Sequence, residues 1–523
     1  MISQNDISTC VTKRTDVNGT PKEVVSELSL PDYLPDVSRL LKTEARIASQ
    51  SSYFNEGSLE FDGRMDYEIV YATSDGRIKS VPLSENFGGS VPLPKDAENG
   101  ESELRLEIEN VTCRLQNPRR LSVKTKVGVT VLIYGEECVT PQISGALTPS
   151  EDARLEKKTD EINTVRRLSV KDENVPISED LELDAQMPSI AEIISVGLSP
   201  YLSDVRAADG KITYKGDVTA NVICLAQADD ADAPAEYFSF SKKIPVSGEV
   251  KADGVTAECF ANGYATVGDV EFRPQANSFG ENRVVEVDFT YTAYLYGMCD
   301  DAVTAVGDMY SVNYESKNDM RQIESSRLLR AGEFNFTSDG ALPLDEKDFS
   351  KVVSATASAR MDSVGKNGSR LVFSGTADVC AILTNGAGAY VSKTFPLPLK
   401  AETEVGKSSD SIECDVFPSV LSVNVKADGG EIRAEVETGI SYFAAEVGIA
   451  GVVDKCAIMK DRPTKRPSSS KIIICYPSES DDLWSVAKRY SVPENEIRAA
   501  NGFSGELPRG KIVIIPSERK GGR

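Results

Sequence analysis

The sequence has no histidine and a single tryptophan among its 523 residues. Without histidine the chain cannot build a Ser-His-Asp or Cys-His catalytic arrangement, or a metal site that uses imidazole. No aromatic-lined pair of acidic residues points to a glycosidase site, and no ordered run of acids around a glycine predicts an EF-hand. We therefore expect a protein that is not an enzyme, with no catalytic residues, no cofactor and no metal site.

Positive charge and long apolar runs are also scarce. The chain has 58 Lys and Arg residues against 81 Asp and Glu residues, a formal net charge of −23. Such a charge repels phosphate backbones and anionic lipid headgroups. The most apolar stretch, residues 442–453, is shorter than a membrane span, and the first residues lack the order of a signal peptide. We expect no nucleic-acid partner, no transmembrane segment and a cytoplasmic location.

Cysteine is present, but not in pairs that suggest a site. None of the ten cysteines forms a C-x-x-C motif, so the spacing predicts neither a zinc ribbon nor a thioredoxin-like site. Most of them lie in alternating apolar segments, where cysteine behaves as a small buried hydrophobe. We favour this interpretation over disulfide crosslinking.

An internal repeat of β-strand patterns organises most of the chain. The phrase apolar-x-aromatic-x-Gly recurs around Gly63, Gly216 and Gly375. An apolar pair precedes each glycine, and its second member always lies 22 residues upstream. After each glycine come an apolar-Pro-apolar step and a long alternating run, which is typical of half-buried strands. We expect each glycine to mark a bulge or a close backbone approach.

The spacing of the repeat suits whole domains. The three glycines are separated by 153 and 159 residues, which is too long for a solenoid unit. We predict a mainly β, multidomain fold with three related β-rich domains and a small βααβ domain at the end. The predicted bounds are domain 1 at 1–148, a linker at 149–179, domain 2 at 180–310, a linker at 311–326, domain 3 at 327–459, a linker at 460–470, the small domain at 471–517 and a basic tail at 518–523.

The small C-terminal domain has its own pattern. Apolar segments at 471–475 and 511–516 predict two strands, and residues 483–490 show helical spacing behind Asp482 as N-cap. Pro493 is placed to open a second helix. The linker at 460–470 is rich in Pro, Ser and basic residues, so we expect this domain to move relative to the rest.

Residues 481–490, D-D-L-W-S-V-A-K-R-Y, resemble the D-x-L-W-x-I-A-x-x-Y phrase of LysM domains. In glycan-binding LysM domains the turn before the first helix and the loop after the second form the groove for N-acetylglucosamine chains. The resemblance implies a binding rim made of Ser478, Glu479, Asp481, Leu483, Trp484, Asn501, Gly502 and Phe503. The usual G-D-T turn is Ser-Asp-Asp here, which favours a protein-docking module. Trp484 is expected mainly to pack the fold.

Two phrases in the first repeat resemble SPOCS domains of endospore-forming Firmicutes: L-P-D-Y-L-P-D at 30–36 and N-P-R-R-L-S-V at 117–123. Three SPOCS domains followed by a LysM domain are similar to the spore-coat morphogenetic proteins of clostridia that interact with stage IV sporulation protein A, an ATPase that polymerises on the forespore. The resemblance implies a scaffold in the mother-cell cytoplasm that tethers the spore coat to the forespore surface. The alternative is a peptidoglycan-binding protein of the cell wall or cortex; a carboxylate-based hydrolase is a third class.

Overall fold

The computed structural model describes residues 7–95, 100–145, 153–228, 235–344, 348–385, 387–406, 411–428, 430–464, 473–504, 507 and 511–516. These residues form 22 β-strands and two short α-helices. The predicted mainly β, multi-sheet fold is therefore confirmed. Alternating burial along nearly every strand places one row of side chains in a core and the other row outside.

The first unit is a sandwich of two antiparallel sheets. Its strands are β1 (Thr9–Asn18), β2 (Lys22–Ser29), β3 (Val37–Asn55), β4 (Ser58–Thr73), β5 (Ile78–Pro92), β6 (Glu101–Asn117) and β7 (Arg120–Val139). Strands β3, β4 and β5 form one sheet, and β7 pairs with β6, β1 and β2 in the other. Because β1 and β2 pair with successive halves of β7, they act as one interrupted edge strand.

The same strand order recurs twice more. A short strand, β8 (Gln142–Ser144), follows the first unit. It pairs in parallel with the last strand of the third unit. The second unit contains β9 (Leu155–Glu182), β10 (Ile190–Ala208), β11 (Lys211–Ala226), β12 (Tyr237–Lys251), β13 (Phe260–Ala276) and β14 (Asn282–Ser311). The third contains β15 (Tyr314–Pro343), β16 (Phe349–Asn367), β17 (Arg370–Asn385), β18 (Tyr390–Glu404), β19 (Ile412–Asp428) and β20 (Glu431–Pro463). In both units the first strand is continuous and pairs with the last.

Two predicted linkers are strands instead. Residues 149–179 overlap β9, and residues 311–326 overlap β15, each of which is an edge strand of its own sandwich. An edge strand that is half exposed carries polar and charged residues, so its composition resembles that of a linker. The third predicted linker, 460–470, overlaps the end of β20, and from residue 465 it lies outside the described residues.

A β-bulge directs one member of each repeated apolar pair into a shared core. The registers of β3, β10 and β16 skip Leu41, Ile194 and Val353, which are the second members of the three pairs. These side chains meet in a cluster that we call the hub. The hub consists of ten buried residues from all three units: Leu41, Val70, Ala72, Ile78, Ile194, Ile223, Tyr237, Val353, Ile382 and Tyr390. The repeated apolar pairs in the sequence therefore mark positions at which the three units contact one another.

Two of the three repeated glycines, Gly216 and Gly375, permit a close backbone approach, as predicted. A Cβ on Gly216 would lie 2.1 Å from the carbonyl oxygen of Tyr201, and one on Gly375 would lie 2.2 Å from that of Arg360. Both glycines face a second bulge in the neighbouring strand. No side chain fits at such distances, so glycine is required there.

A second joint between the units is ionic. The guanidinium of Arg167 in the second unit is almost fully buried and lies over one aromatic ring from each unit. Its Cζ atom is 4.4 Å from the ring centre of Tyr134, 4.0 Å from that of Tyr296 and 5.9 Å from that of Phe443. Cation–π attraction is strongest where water is excluded, so this site favours a closed arrangement of the three units.

Asp415 of the third unit completes this ionic joint. Its carboxylate lies 3.1 Å from Arg14, 2.9 Å from Arg105 and 3.5 Å from Arg167. Burial alone would raise the pKa of Asp415, but the three guanidinium groups outweigh it and lower that pKa to about 2. One carboxylate therefore connects strands β1, β6 and β9.

The two phrases that resemble SPOCS domains meet in space. Arg119 donates to the carbonyl oxygens of Leu34 and Pro31 at 3.1 and 2.9 Å, and it pairs with Asp36 at 2.8 Å. In the second unit, Arg283 closes the corresponding turn by donating to the carbonyl oxygens of two residues before β10. An arginine-closed turn is thus common to the first two units.

Two pairs of cysteines form disulfides, contrary to the expectation that cysteine acts mainly as a buried hydrophobe. Cys10 is bonded to Cys138 and Cys259 to Cys299. The first pair is separated by 128 residues and the second by 40. The pairing therefore depends on strand register and cannot be deduced from local spacing. The other six cysteines are free thiols, and each is buried or half-buried.

Candidate functional site: the C-terminal module

The C-terminal module has the predicted β-α-α-β order. It comprises β21 (Ile473–Cys475), α1 (Leu483–Tyr490), α2 (Glu494–Asn501) and β22 (Val513–Ile515). Strands β21 and β22 pair antiparallel, with Ile474 opposite Ile514. The helices cover one face of this two-stranded sheet and bury Val486 and Ile497 completely.

Local hydrogen bonds fix the first helix. The carboxylate of Asp482 accepts from the backbone N–H of Ser485 at 2.8 Å, and the Ser485 hydroxyl accepts from the backbone N–H of Asp482 at 3.0 Å. This reciprocal capping box satisfies helix donors that would otherwise lack partners. The helix ends at Ser491, which adopts the left-handed conformation.

The module docks on the second unit, so the expectation that it moves independently does not hold in this structure. Trp484 is 8% exposed and packs edge-to-face on Tyr310, with the ring centres 5.0 Å apart. The Trp484 indole N–H donates to Asp308 at 2.8 Å, and the Tyr310 hydroxyl donates to the carbonyl oxygen of Val492 at 2.9 Å. Tyr310 thereby becomes part of the module's apolar core.

Asp308 is the electrostatic centre of this docking contact. Burial tends to raise its pKa, but the ammonium of Lys488, 2.7 Å away, and the indole N–H of Trp484 outweigh that effect and lower the pKa. A more exposed pair, Arg154 with Glu496, flanks the contact at 2.6 Å. Exposed pairs of that kind contribute little, so Trp484, Tyr310 and Asp308 carry the docking.

Several predicted rim residues have structural partners. Leu483 and Trp484 are buried. The Asn501 amide donates to the carbonyl oxygen of Ile514 and accepts from its backbone N–H, both at 2.7 Å, which ties α2 to β22. Gly502 has a φ of 68° and ends α2 in the left-handed conformation. These four residues support the fold of the module.

The other four rim candidates are exposed or half-buried. Asp481 accepts from the backbone N–H of Ser478 at 2.9 Å and also pairs with Arg489. Ser478 and Glu479 are exposed, and Phe503 is half-buried beneath the guanidinium of Arg498. Of the predicted rim, Ser478, Glu479 and the backbone at Gly502 are exposed, so Ser478 and Glu479 are the rim residues that offer exposed side chains.

The module has an exposed apolar surface that is not part of the predicted binding rim. The outer face of the two-stranded sheet carries Ile474, Tyr476, Ile512 and Ile514, which are 50%, 73%, 51% and 42% exposed. We call these four residues the sheet face. The continuous isoleucine runs in both strands could have revealed it, because helices that cover one face of a sheet leave alternate apolar side chains on the other. Clustered exposed apolar residues mark interaction surfaces.

A cavity of about 1370 Å³ lies between the three units. Edge strands β3, β10 and β16 contribute to its wall, together with several Ser and Thr side chains. Lys42 is buried in this wall and pairs with Glu44. The balance of opposite charges and hydroxyl groups does not single out one class of ligand.

The fold and the module together define a class of protein: a mainly β protein of several sheets with a small docked α/β module that has an apolar outer face. Within it, residues 189–274 match the family model described as SipL, SPOCS domain. This match spans β10 to β13 of the second unit. Residues 189–274 are therefore similar to a SPOCS domain, and this similarity supports an association with sporulation.

The match falls on the second unit, although the phrases that resemble SPOCS domains letter by letter lie in the first. The second unit nevertheless keeps the arginine-closed turn, which Arg283 forms there. No curated protein matches the chain. Neither helix in the described part of the chain is long and apolar enough to cross a membrane.

Proposed function

We propose that the protein is a non-catalytic adaptor of spore-coat assembly, which tethers the coat to the forespore surface by binding a coat morphogenetic ATPase of the stage IV sporulation protein A type. The SPOCS match at 189–274 supports the link to sporulation. The first and third units have the same strand order as the matched unit, and we assign them to the same domain type. The C-terminal module is assigned as a LysM domain, and the site of action as the mother-cell cytoplasm.

The sheet face is the observation that carries this proposal. Two of its large apolar side chains belong to the paired strands and two to the residues next to them, and the four are 42% to 73% exposed. Burying such a surface against a partner is favourable at about 25 cal/mol per Å² of apolar area. A protein with an apolar groove is a better partner for this surface than a hydrated glycan.

The body of three units suits a scaffold. The hub and the ionic joint each take residues from all three units, so the units form one platform. Several surfaces on one platform can bind one polymeric partner with an effective concentration that strengthens weak contacts.

Peptidoglycan binding is the second candidate, because Ser478 and Glu479 of the predicted rim remain exposed. Two binding measurements distinguish these candidate functions: retention of the full-length protein on immobilised coat ATPase, and its retention on purified peptidoglycan. A variant with Ser478→Ala and Glu479→Ala serves as the matched rim change. We expect retention on the ATPase by both proteins. Retention on peptidoglycan alone, lost in the rim variant, would contradict the adaptor and establish the glycan binder.

The adaptor role also predicts a cellular result. Deletion of the gene should leave spore coats that assemble but detach from the forespore, visible by electron microscopy of sporulating cells. Normally attached coats in the deletion strain would contradict the proposal.

A further inference from the structure

Cys10, Glu136 and Cys138 lie together on one face of the β1/β7 ribbon. Cys10 and Cys138 are directly opposite in the antiparallel register, and Glu136 precedes Cys138 by two residues, so its side chain points to the same side. The two sulfur atoms and a carboxylate oxygen all lie within 4.8 Å of one another. Glu136 and Cys138 are exposed, and Cys10 is half-buried.

We propose that these three residues form a redox-controlled site for a thiophilic divalent metal ion such as Zn²⁺. Thiolate and carboxylate are both common zinc ligands, and three protein ligands leave a fourth tetrahedral position for water. With zinc–sulfur bonds of about 2.3 Å, two thiolates on one ion stand roughly 3.8 Å apart. The sulfur atoms can reach this separation by side-chain rotation while the strands keep their pairing.

The disulfide and the metal exclude each other, which makes the site a switch. A cellular dithiol reductant supplies two electrons and two protons, the S–S bond breaks and two thiols form, while the reductant becomes a disulfide. The ion then displaces the two thiol protons as it binds, because only the thiolate is a ligand. A disulfide oxidant reverses the step: it accepts two electrons and two protons and becomes a dithiol, the S–S bond forms again from the two thiolates, and the metal, which loses two of its three ligands, is released.

The site lies where the first unit meets the other two. On the same strand, the Thr9 hydroxyl donates to the carbonyl oxygen of Thr304 at 2.9 Å, and Arg14 reaches Asp415. Either the disulfide or the metal would hold the end of β1 against β7 beside these contacts. The sequence carries no signal for the site, because the cysteines are 128 residues apart.

The second disulfide is a matched control within the same chain. Cys259 and Cys299 are also bonded, but in the part of the chain that the structure describes, only the first pair has a third ligand in reach. Reduction of both pairs should therefore create one metal site and not two.

The test is titration of the full-length protein with Co²⁺, a spectroscopic substitute for Zn²⁺ in tetrahedral thiolate sites. After anaerobic reduction and removal of the reductant, we expect a thiolate-to-cobalt absorption that saturates at one equivalent and is displaced by Zn²⁺. Oxidised protein of the same sequence should show no such absorption. Glu136→Gln should weaken the apparent affinity by at least about tenfold, the loss that even an outer partner of a ligand can cause.

Two double variants locate the site. Cys10→Ser with Cys138→Ser should abolish the absorption, and Cys259→Ser with Cys299→Ser should retain it. The proposal is overturned if reduced wild type shows no thiolate absorption, or if the absorption survives in the Cys10 and Cys138 variant. Glu136 is exposed, so Glu136→Gln should fold normally, which circular dichroism can check. If the double cysteine variant misfolds, the affinity of Glu136→Gln for Co²⁺ still tests whether this site binds the metal.

Discussion

The body and the C-terminal module use their apolar and aromatic side chains in opposite ways. Each unit of the body directs a bulged residue into the hub, and Tyr134, Tyr296 and Phe443 surround one buried arginine. The module contributes Trp484 to a single contact with the body and leaves the sheet face outside. The body uses these side chains for contacts between its own units, whereas the module leaves four of them exposed on the surface that we propose binds a partner.

The largest expected effect comes from breaking the ionic joint of the body. Asp415→Ala leaves three guanidinium groups without their shared carboxylate, and loss of one partner of a buried ion pair costs about 3–5 kcal/mol. Unfolding in guanidinium chloride, followed by circular dichroism, should show this loss. Asp415→Asn keeps the shape and should cost less. A stability equal to that of the wild type in the alanine variant would mean that this joint does not hold the units together.

A substitution in the hub should lower the free energy of unfolding almost as much. Ile223→Ala removes buried methyl groups where the three units meet, and such changes cost about 2–5 kcal/mol. Ile449 is 73% exposed, so Ile449→Ala is the matched control and should change stability by less than about 0.5 kcal/mol. Equal effects of the two changes, measured by the same unfolding experiment, would show that the hub is not a joint.

The docking of the module can be followed through the only tryptophan in the chain. Tyr310→Ala removes the ring that packs on Trp484, and the fluorescence emission of Trp484 should shift to the red as water reaches the indole. Tyr310→Phe keeps the ring and loses the hydrogen bond to Val492, so it should cost only about 0.5–1.5 kcal/mol and shift the emission little. An unchanged spectrum in Tyr310→Ala would contradict the docked arrangement.

Acid should weaken the docking of the module on the second unit. The pKa of Asp308 is lowered in the folded protein, so its contribution to docking is complete above its ordinary value of 3.8 and is lost as the pH falls through the lower folded value. The contribution of Asp415 also declines below pH 3.8 and is lost as the pH falls through about 2. Emission of Trp484 should therefore shift to the red below pH 3.8, and Asp308→Asn should abolish this pH dependence. The same acid transition in Asp308→Asn would assign the shift to other groups.

Periodicity predicted the strands well because burial alternates along them, and the equal spacing of the apolar pairs corresponds to equivalent bulges in three units. The prediction of a linker at 149–179 was wrong because residues 155–182 form an edge strand, and the exposed face of this strand has the polar composition of a loop. Disulfide pairing depends on contacts between residues far apart in the chain, and local sequence does not encode them.

The candidate site was predicted in part. The helices, the N-cap Asp482 and the packing role of Trp484 follow from local pattern and are observed. Sequence reasoning did not predict that Trp484 packs on Tyr310, because 174 residues separate them in the chain. The sheet face was not predicted, because the strand pattern alone does not show which face of the two-stranded sheet the helices cover.

Binding of the full-length protein to the coat ATPase, measured with variants of the sheet face, tests the central claim most directly. Ile474→Asp with Ile514→Asp places charge in the middle of the surface, and Ser478→Ala with Glu479→Ala changes the nearby rim as the control. The emission of Trp484 reports whether each variant keeps the module docked. We predict that the aspartate variant weakens binding by roughly 30-fold or more, as loss of an interface hot spot does, while the rim variant binds like the wild type. Undiminished binding by the folded aspartate variant would contradict the account.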